Sequence, residues 1–187
     1  MPTFIGHAVT GVALSSTISQ KQQWLKVGIL TVFCSIAPDI DVISFRLGIP
    51  YQHWLGHRGL SHSIIFAALL GLIALLFISE KSVKRKCLYF CVFFASGFLH
   101  DILDAMTNGG LGVAFFSPFS DTRYFLPWQP IVVSPLSIRR FLTLRGWGVI
   151  KSELIWVILP SLCFMAMVAL YRSKKILYRK YRGLINR

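Results

Sequence analysis

The stretch CLYFCVFFASGFLHDILDAM, residues 87–106, decides the fold. It is apolar for most of its length, and at ~1.5 Å per residue it can cross a hydrocarbon layer ~30 Å thick as one helix. Near one end it abruptly admits His100, Asp101 and Asp104. An ionisable group left unpaired in hydrocarbon costs several kcal/mol, so its presence there marks a functional site by default. His and Asp together are also a ligand set for zinc and related divalent ions.

The same pattern recurs through the chain. All five histidines fall in short polar clusters at the ends of apolar segments: Gly6-His7, Pro38-Asp39-Ile40-Asp41, the run from His53 through His57, Arg58 and His62, and His100 to Asp104. The 187 residues are 55% hydrophobic and only 14% charged, where soluble domains carry about 25% charged residues. Five apolar segments can be drawn, at about 5–18, 25–45, 62–79, 87–106 and 153–171, the first short and the last interrupted by Pro160. The expected fold is all-α: a polytopic membrane bundle of about four to five helices, with a long aromatic extramembrane loop over 108–150. Residues 1–171 read as one membrane-embedded domain and 172–187 as a basic cytoplasmic tail. The four cysteines lie inside apolar runs, where a thiol behaves as a small hydrophobe, so no disulfide framework is expected.

The net charge of +13 does not indicate nucleic-acid binding, because the basic residues flank apolar runs and form no groove-reading motif. Lys21 and Lys26, then Lys81, Lys84, Arg85 and Lys86, then the tail from Arg172 onward, all fall on one side of the threaded chain. Arg46, Arg58, Arg123, Arg139, Arg140, Arg145 and Lys151 fall on the other. The positive-inside bias puts the tail in the cytoplasm and the two longer loops outside. His7, Asp39, His57, His62 and His100 then lie near the same outer surface. Asp39 and His100 each sit six residues, roughly 9 Å, from the outer end of their helices.

Spacing orders the candidates. His100 and Asp104 are four apart and share a helical face, suited either to one ion or to a hydrogen-bonded pair between helices. Asp101 points ~100° away and is expected as an outer partner or an acid/base group. Residues two apart do not face the same way, so Asp39 is the first choice of ligand and Asp41 the second. Ser61 reads as the N-cap of the third segment, with His62 in its first turn and His57 in the loop before it. Arg58 suits a phosphate or carboxylate oxygen, or a lipid headgroup. His53 sits among aromatics and is not expected to be a ligand.

The residues that carry a resemblance are His7, APDID (37–41), HRGLSHS (57–63), GFLHDILD (97–104), TNGG (107–110), PFSDTRYF (118–125) and PIVVSPL (130–136), in that order. Together they resemble the bacterial inner-membrane metal-dependent hydrolase family, some of whose members are described as LexA-regulated membrane-bound hydrolases. The likeness covers essentially residues 1–150. It implies a location in the bacterial inner membrane and a hydrolytic reaction class, without a substrate. A remote likeness to zinc-dependent phospholipase C and single-strand nucleases implies phosphodiester chemistry by fold-level analogy alone.

The sequence therefore leads to a small membrane hydrolase with His7, Asp39, His57, His62, His100 and Asp104 as metal ligands. That set is large enough for one or two divalent ions, zinc first and manganese second. Asp101 or Asp41 is the expected general base, and Arg58 with Arg123 the expected grip on an anionic group. The expected partners are membrane lipid and an amphipathic phosphorylated substrate, with no nucleic acid. The competing account is a non-catalytic metal-binding or ion-transport protein using the same cluster. A third, a structural adaptor working through the tail ILYRKYRGLINR (176–187), leaves the histidines unexplained.

Overall fold

A computed structural model describes residues 1–18 and 23–185, so Lys21 of the first basic turn and the last two residues of the tail lie outside the described residues. Among the described residues there is no β-strand, only two isolated bridges, Thr107 with Ile131 and Val113 with Tyr124. Three helical stretches are long and apolar enough to cross a membrane: Trp24–Arg46, Val83–Ala105 and Leu144–Tyr178.

Helix α1 (Phe4–Ser15) begins where the Thr3 hydroxyl accepts the Gly6 N–H. It ends where Ser15, Ser16 and Thr17 turn their hydroxyls back onto carbonyls three residues earlier. Its 12 residues make only ~18 Å, so it enters the bundle without crossing it. Gly11 permits that entry, since a Cβ there would lie 2.9 Å from the Val32 backbone of α2 (Trp24–Ile36).

The second apolar segment is not one uniform helix. Pro38 lacks an N–H and breaks the α pattern. The chain tightens into a 3₁₀ turn over Ala37–Val42, then resumes as α3 (Ile43–Arg46). This buries Asp39 while leaving Ile40 exposed.

Helix α4 (Ile64–Leu76) packs along α5 (Val83–Ala105), Gly97 of α5 lying against Ala67 of α4. The N-cap of α4 differs from expectation: Ser63, not Ser61, accepts the Phe66 N–H. His62 therefore ends a separate 3₁₀ turn, Leu60–His62, because the Ser61 hydroxyl is taken by Asp41. The lower core is apolar and built from Val27, Cys34, Leu70, Ala74, Tyr89 and Phe93.

The stretch expected as one loop over 108–150 is irregular only to about residue 137; α6 (Ile138–Phe141) and α7 (Leu144–Glu153) follow. Glycines and basic residues masked the helix, but Gly146, Val149, Ser152 and Glu153 form one buried helical face. The fifth apolar helix therefore starts at 144, not 153. A π turn over Leu154–Ile158 joins α7 to α8 (Leu159–Ile185), with the Leu159 N–H reaching back to the Leu154 carbonyl. That wider turn lets Pro160 sit in a continuous helix. The irregular part is stitched to the end of the bundle: Leu126 N–H donates to Ala105, Ile131 to Met106, Ala114 to Arg58, Ile64 to Phe115 and Ser134 to Met1.

Candidate metal centre

His7 of α1, Asp39 of the 3₁₀ turn, His62 before α4, and His100 and Asp104 of α5 come together at one end of the bundle. All five side chains are essentially inaccessible to solvent. One donor atom from each of Asp39, His62, His100 and Asp104 lies within 4.8 Å of all the others.

The nitrogens of these histidines are oriented from behind. His100 Nδ1 lies 2.7 Å from the Ser35 carbonyl, so it carries the proton and donates. His62 Nδ1 lies 3.0 Å from Asp41 Oδ2 and faces a carboxylate in the same way. Both rings then turn Nε2 toward one point, with the two nitrogens 3.0 Å apart. Asp39 Oδ1 lies 3.6 Å from His100 Nε2 and 3.7 Å from His62 Nε2, and Asp104 Oδ2 is 3.5 Å from His62 Nε2. Ligand atoms on a tetrahedral ion with bonds of ~2.0–2.1 Å stand ~3.3 Å apart, so these spacings fit a two-histidine, two-aspartate set.

The electrostatics require positive charge at that point. Asp39, Asp41 and Asp104 gather around the imidazoles, and Arg58 is paired with Asp104, so carboxylates outnumber that guanidinium three to one. Burial pushes the His62 imidazole down, but Asp41, Asp104 and Asp39 outweigh burial and hold it well above its ordinary value. A proton on His62 would satisfy only the edge it shares with His100. It would still leave both Asp39 oxygens, Asp104 Oδ1 and both His7 nitrogens buried without a hydrogen bond. A divalent cation among Asp39, His62, His100 and Asp104 answers their converging donor atoms and the excess of carboxylates together.

The other expected residues take defined places around this core. Asp41 stands behind His62: its oxygens meet His57 Nδ1 (2.5 Å), Ser61 Oγ (2.5 Å) and the Arg58 N–H (2.9 Å). His57 thus supports Asp41 and lies outside the group of four, its ring centroid 5.6 Å from that of His62. Arg58 sits 2.8 Å from Asp104 Oδ2 through Nε, donates to the Gly109 carbonyl and Thr107 Oγ1, and is almost wholly buried at φ +61°. A left-handed arginine is uncommon. Here every nitrogen of its side chain and main chain is engaged, which holds it there. Gly110 (φ +92°) lets the loop close over it, since a Cβ would lie 2.8 Å from Arg58 Nη1.

Arg123 donates to the carbonyls of His57, Tyr51 and His53 and lies over the Tyr51 ring, clamping the loop that delivers His57. Asp101 is fully buried, with neither oxygen hydrogen-bonded. His53 is exposed and takes the Leu55 N–H on Nδ1.

Three supporting residues were not read from the sequence. Ser35 Oγ donates to the His7 carbonyl (2.5 Å), while Thr10 Oγ1 donates to the same carbonyl and lies 3.3 Å from Ser35 Oγ. Glu153 accepts the Thr3 N–H and hydroxyl at 2.5 and 2.6 Å, tying the start of α1 to the end of α7. Ser35 lies one helical turn before Asp39, and Glu153 is the lone carboxylate entering the last apolar run. Those positions were the available signals.

The sequence profile of the YdjM inner membrane protein family matches residues 1–176. The inner membrane protein YbcI of Escherichia coli (strain K12) is 36% identical over 169 residues, covering 90% of this chain and 97% of its own. No solved structure matches. The chain belongs to the YdjM inner membrane protein family, in keeping with the inner-membrane family that its motifs resemble.

Proposed function

We propose that this member of the YdjM family is a membrane-bound metal-dependent hydrolase. Its centre is Asp39, His62, His100 and Asp104, and its substrate is an amphipathic phosphoester or phosphodiester. One observation carries the reading: two imidazole Nε2 atoms, 3.0 Å apart and each fixed from behind, face two carboxylates in a pocket closed to solvent. When bound, a divalent ion such as zinc or manganese supplies Lewis acidity, which polarises a phosphoryl oxygen and acidifies water. Asp41 orients His62, and Ser35 orients His100. Of the two candidate bases, Asp41 is committed to its neighbours, whereas Asp101 keeps both oxygens free of hydrogen bonds and is assigned the proton transfer. Arg58 and Arg123 shape the site by holding Asp104 and the loop at His57.

An amphipathic substrate suits the surroundings. A hollow of about 300 Å³ between α1, α5 and α8 is lined by Leu14, Leu99, Leu103, Val157 and Phe164, and Leu99 and Leu103 flank His100 and Asp104 in sequence. The basic bias of the loops supports a site at the periplasmic face and a tail in the cytoplasm. A transport role would need ionisable groups leading away from the cluster. Among the described residues, the buried hydroxyls Thr31 and Ser96 below it bond to backbone carbonyls, and the apolar core of Cys34, Val27 and Phe93 follows.

The test is element analysis of the protein purified in detergent, alongside a panel of phosphodiester and phospholipid substrates. The wild type is expected to retain zinc or manganese, and His62→Ala and His100→Ala to lose it. Asp41→Asn should weaken metal affinity roughly 10–100-fold, as loss of an orienting partner does. A folded wild-type protein that binds no metal would overturn the reading.

A further inference from the structure

The two carboxylates of the centre are shared in an unequal way. Asp39 directs Oδ1 toward His62 and His100, and its Oδ2 lies 3.9 Å from His7 Nε2. Asp104 directs Oδ2 toward His62 and Arg58, and its Oδ1 lies 3.4 Å from His7 Nε2. Each aspartate therefore presents one oxygen to the His62–His100 side and the other to His7.

His7 itself is fully buried, and neither of its nitrogens has a hydrogen-bond partner. A simple ion pair does not account for it. A protonated imidazole draws a carboxylate oxygen to ~2.7–2.9 Å, well inside the two separations seen here. The ring also stacks on His100 at 3.8 Å between centroids and 26° between planes. His7 Nε2 faces both Asp39 and Asp104, whereas His100 Nε2 faces Asp39.

We infer that the centre is built for two divalent cations, the second held by His7 and joined to the first through the carboxylates of Asp39 and Asp104. This rests on the metal-centre reading above and adds a second ion to it. The charge balance then specifies the ligand. Asp39, Asp41 and Asp104 with Arg58 are neutralised by one divalent ion, and a second leaves an excess of positive charge, even with Asp101 ionised, which complements the anionic oxygens of a phosphoester. Ser35 and Thr10 gain a purpose as well, because both hydroxyls grip the His7 carbonyl and set the turn of α1 that aims its ring.

The experiment uses the full chain in detergent, equilibrated with manganese and freed of excess. Bound metal is measured by element analysis and coupling between ions by electron paramagnetic resonance. Two manganese ions per chain with an exchange-coupled spectrum are expected. His7→Ala should bind one ion with an uncoupled spectrum, and His7→Gln, closer in volume, should do the same if the alanine variant does not fold. A wild type that saturates at one ion overturns the second site while leaving the single-ion centre standing. A wild type that binds none removes both readings. Two coupled ions persisting in His7→Gln would also overturn the assignment.

Discussion

The helices Val83–Ala105 and Leu144–Tyr178 are both long and apolar enough to cross a membrane, yet they are used in opposite ways. In the first, half of the most apolar window is buried inside the protein, against 11% in the second. His100 and Asp104 belong to the first, where α1, α2 and the 3₁₀ turns holding Asp39 and His62 supply partners on the far side. From the π turn onward the second offers Leu159, Leu162, Met167 and Leu170 outward, and its one carboxylate, Glu153, lies at the upper end against Thr3. An ionisable residue is tolerated in an apolar helix where neighbouring elements, not lipid, meet it.

That contrast can be broken by substitution, with stability in detergent as the readout. Asp104→Asn should have the largest effect, since it leaves the Arg58 guanidinium buried against a neutral group, at a cost of about 3–5 kcal/mol in an unfolding titration. A loss under 1 kcal/mol would mean that water reaches the pair. Glu153→Gln should cost about 1.5–3 kcal/mol, the range for hydrogen bonds to a charged group, by weakening the clamp on Thr3. Its metal content should stay at the wild-type level; loss of metal would move Glu153 into the centre itself. Leu162→Ala, on the outward face of α8, should change stability by no more than about 0.5 kcal/mol. A change above 2 kcal/mol there would reveal a packed interface and undo the comparison.

Much of this was legible from residue order, but unevenly. The His100–Asp104 pair could be read because a helix repeats every 3.6 residues and nothing between them disturbs it. The Asp39–Asp41 pair was harder: Pro38 replaces the α turn by a 3₁₀ turn, and that local winding sends one carboxylate to the cluster and the other behind His62. Ser61 was read as a helix cap because Ser commonly caps, but Asp41, distant in sequence, captured its hydroxyl and left the cap to Ser63. Arg58 and Arg123 were read as a grip on an anionic group. Their guanidiniums are directed at Asp104, Thr107 and backbone carbonyls from loops that sequence alone does not juxtapose. Helix α7 was hidden because its buried face consists of Gly146, Val149, Ser152 and Glu153, of which only Val149 is strongly apolar.

By itself, then, the sequence determined that this is an all-helical membrane protein with His and Asp gathered at segment ends. Hydropathy over the length of a helix and the scarcity of charge are properties of residue order. Only the tertiary structure decided which oxygen of each aspartate faces which imidazole, and which arginines were already engaged. Those matters turn on side-chain directions within a few ångströms, set jointly by α1, the 3₁₀ turn, the loop at His57 and α5. No spacing along the chain encodes the angle at which four separate elements meet.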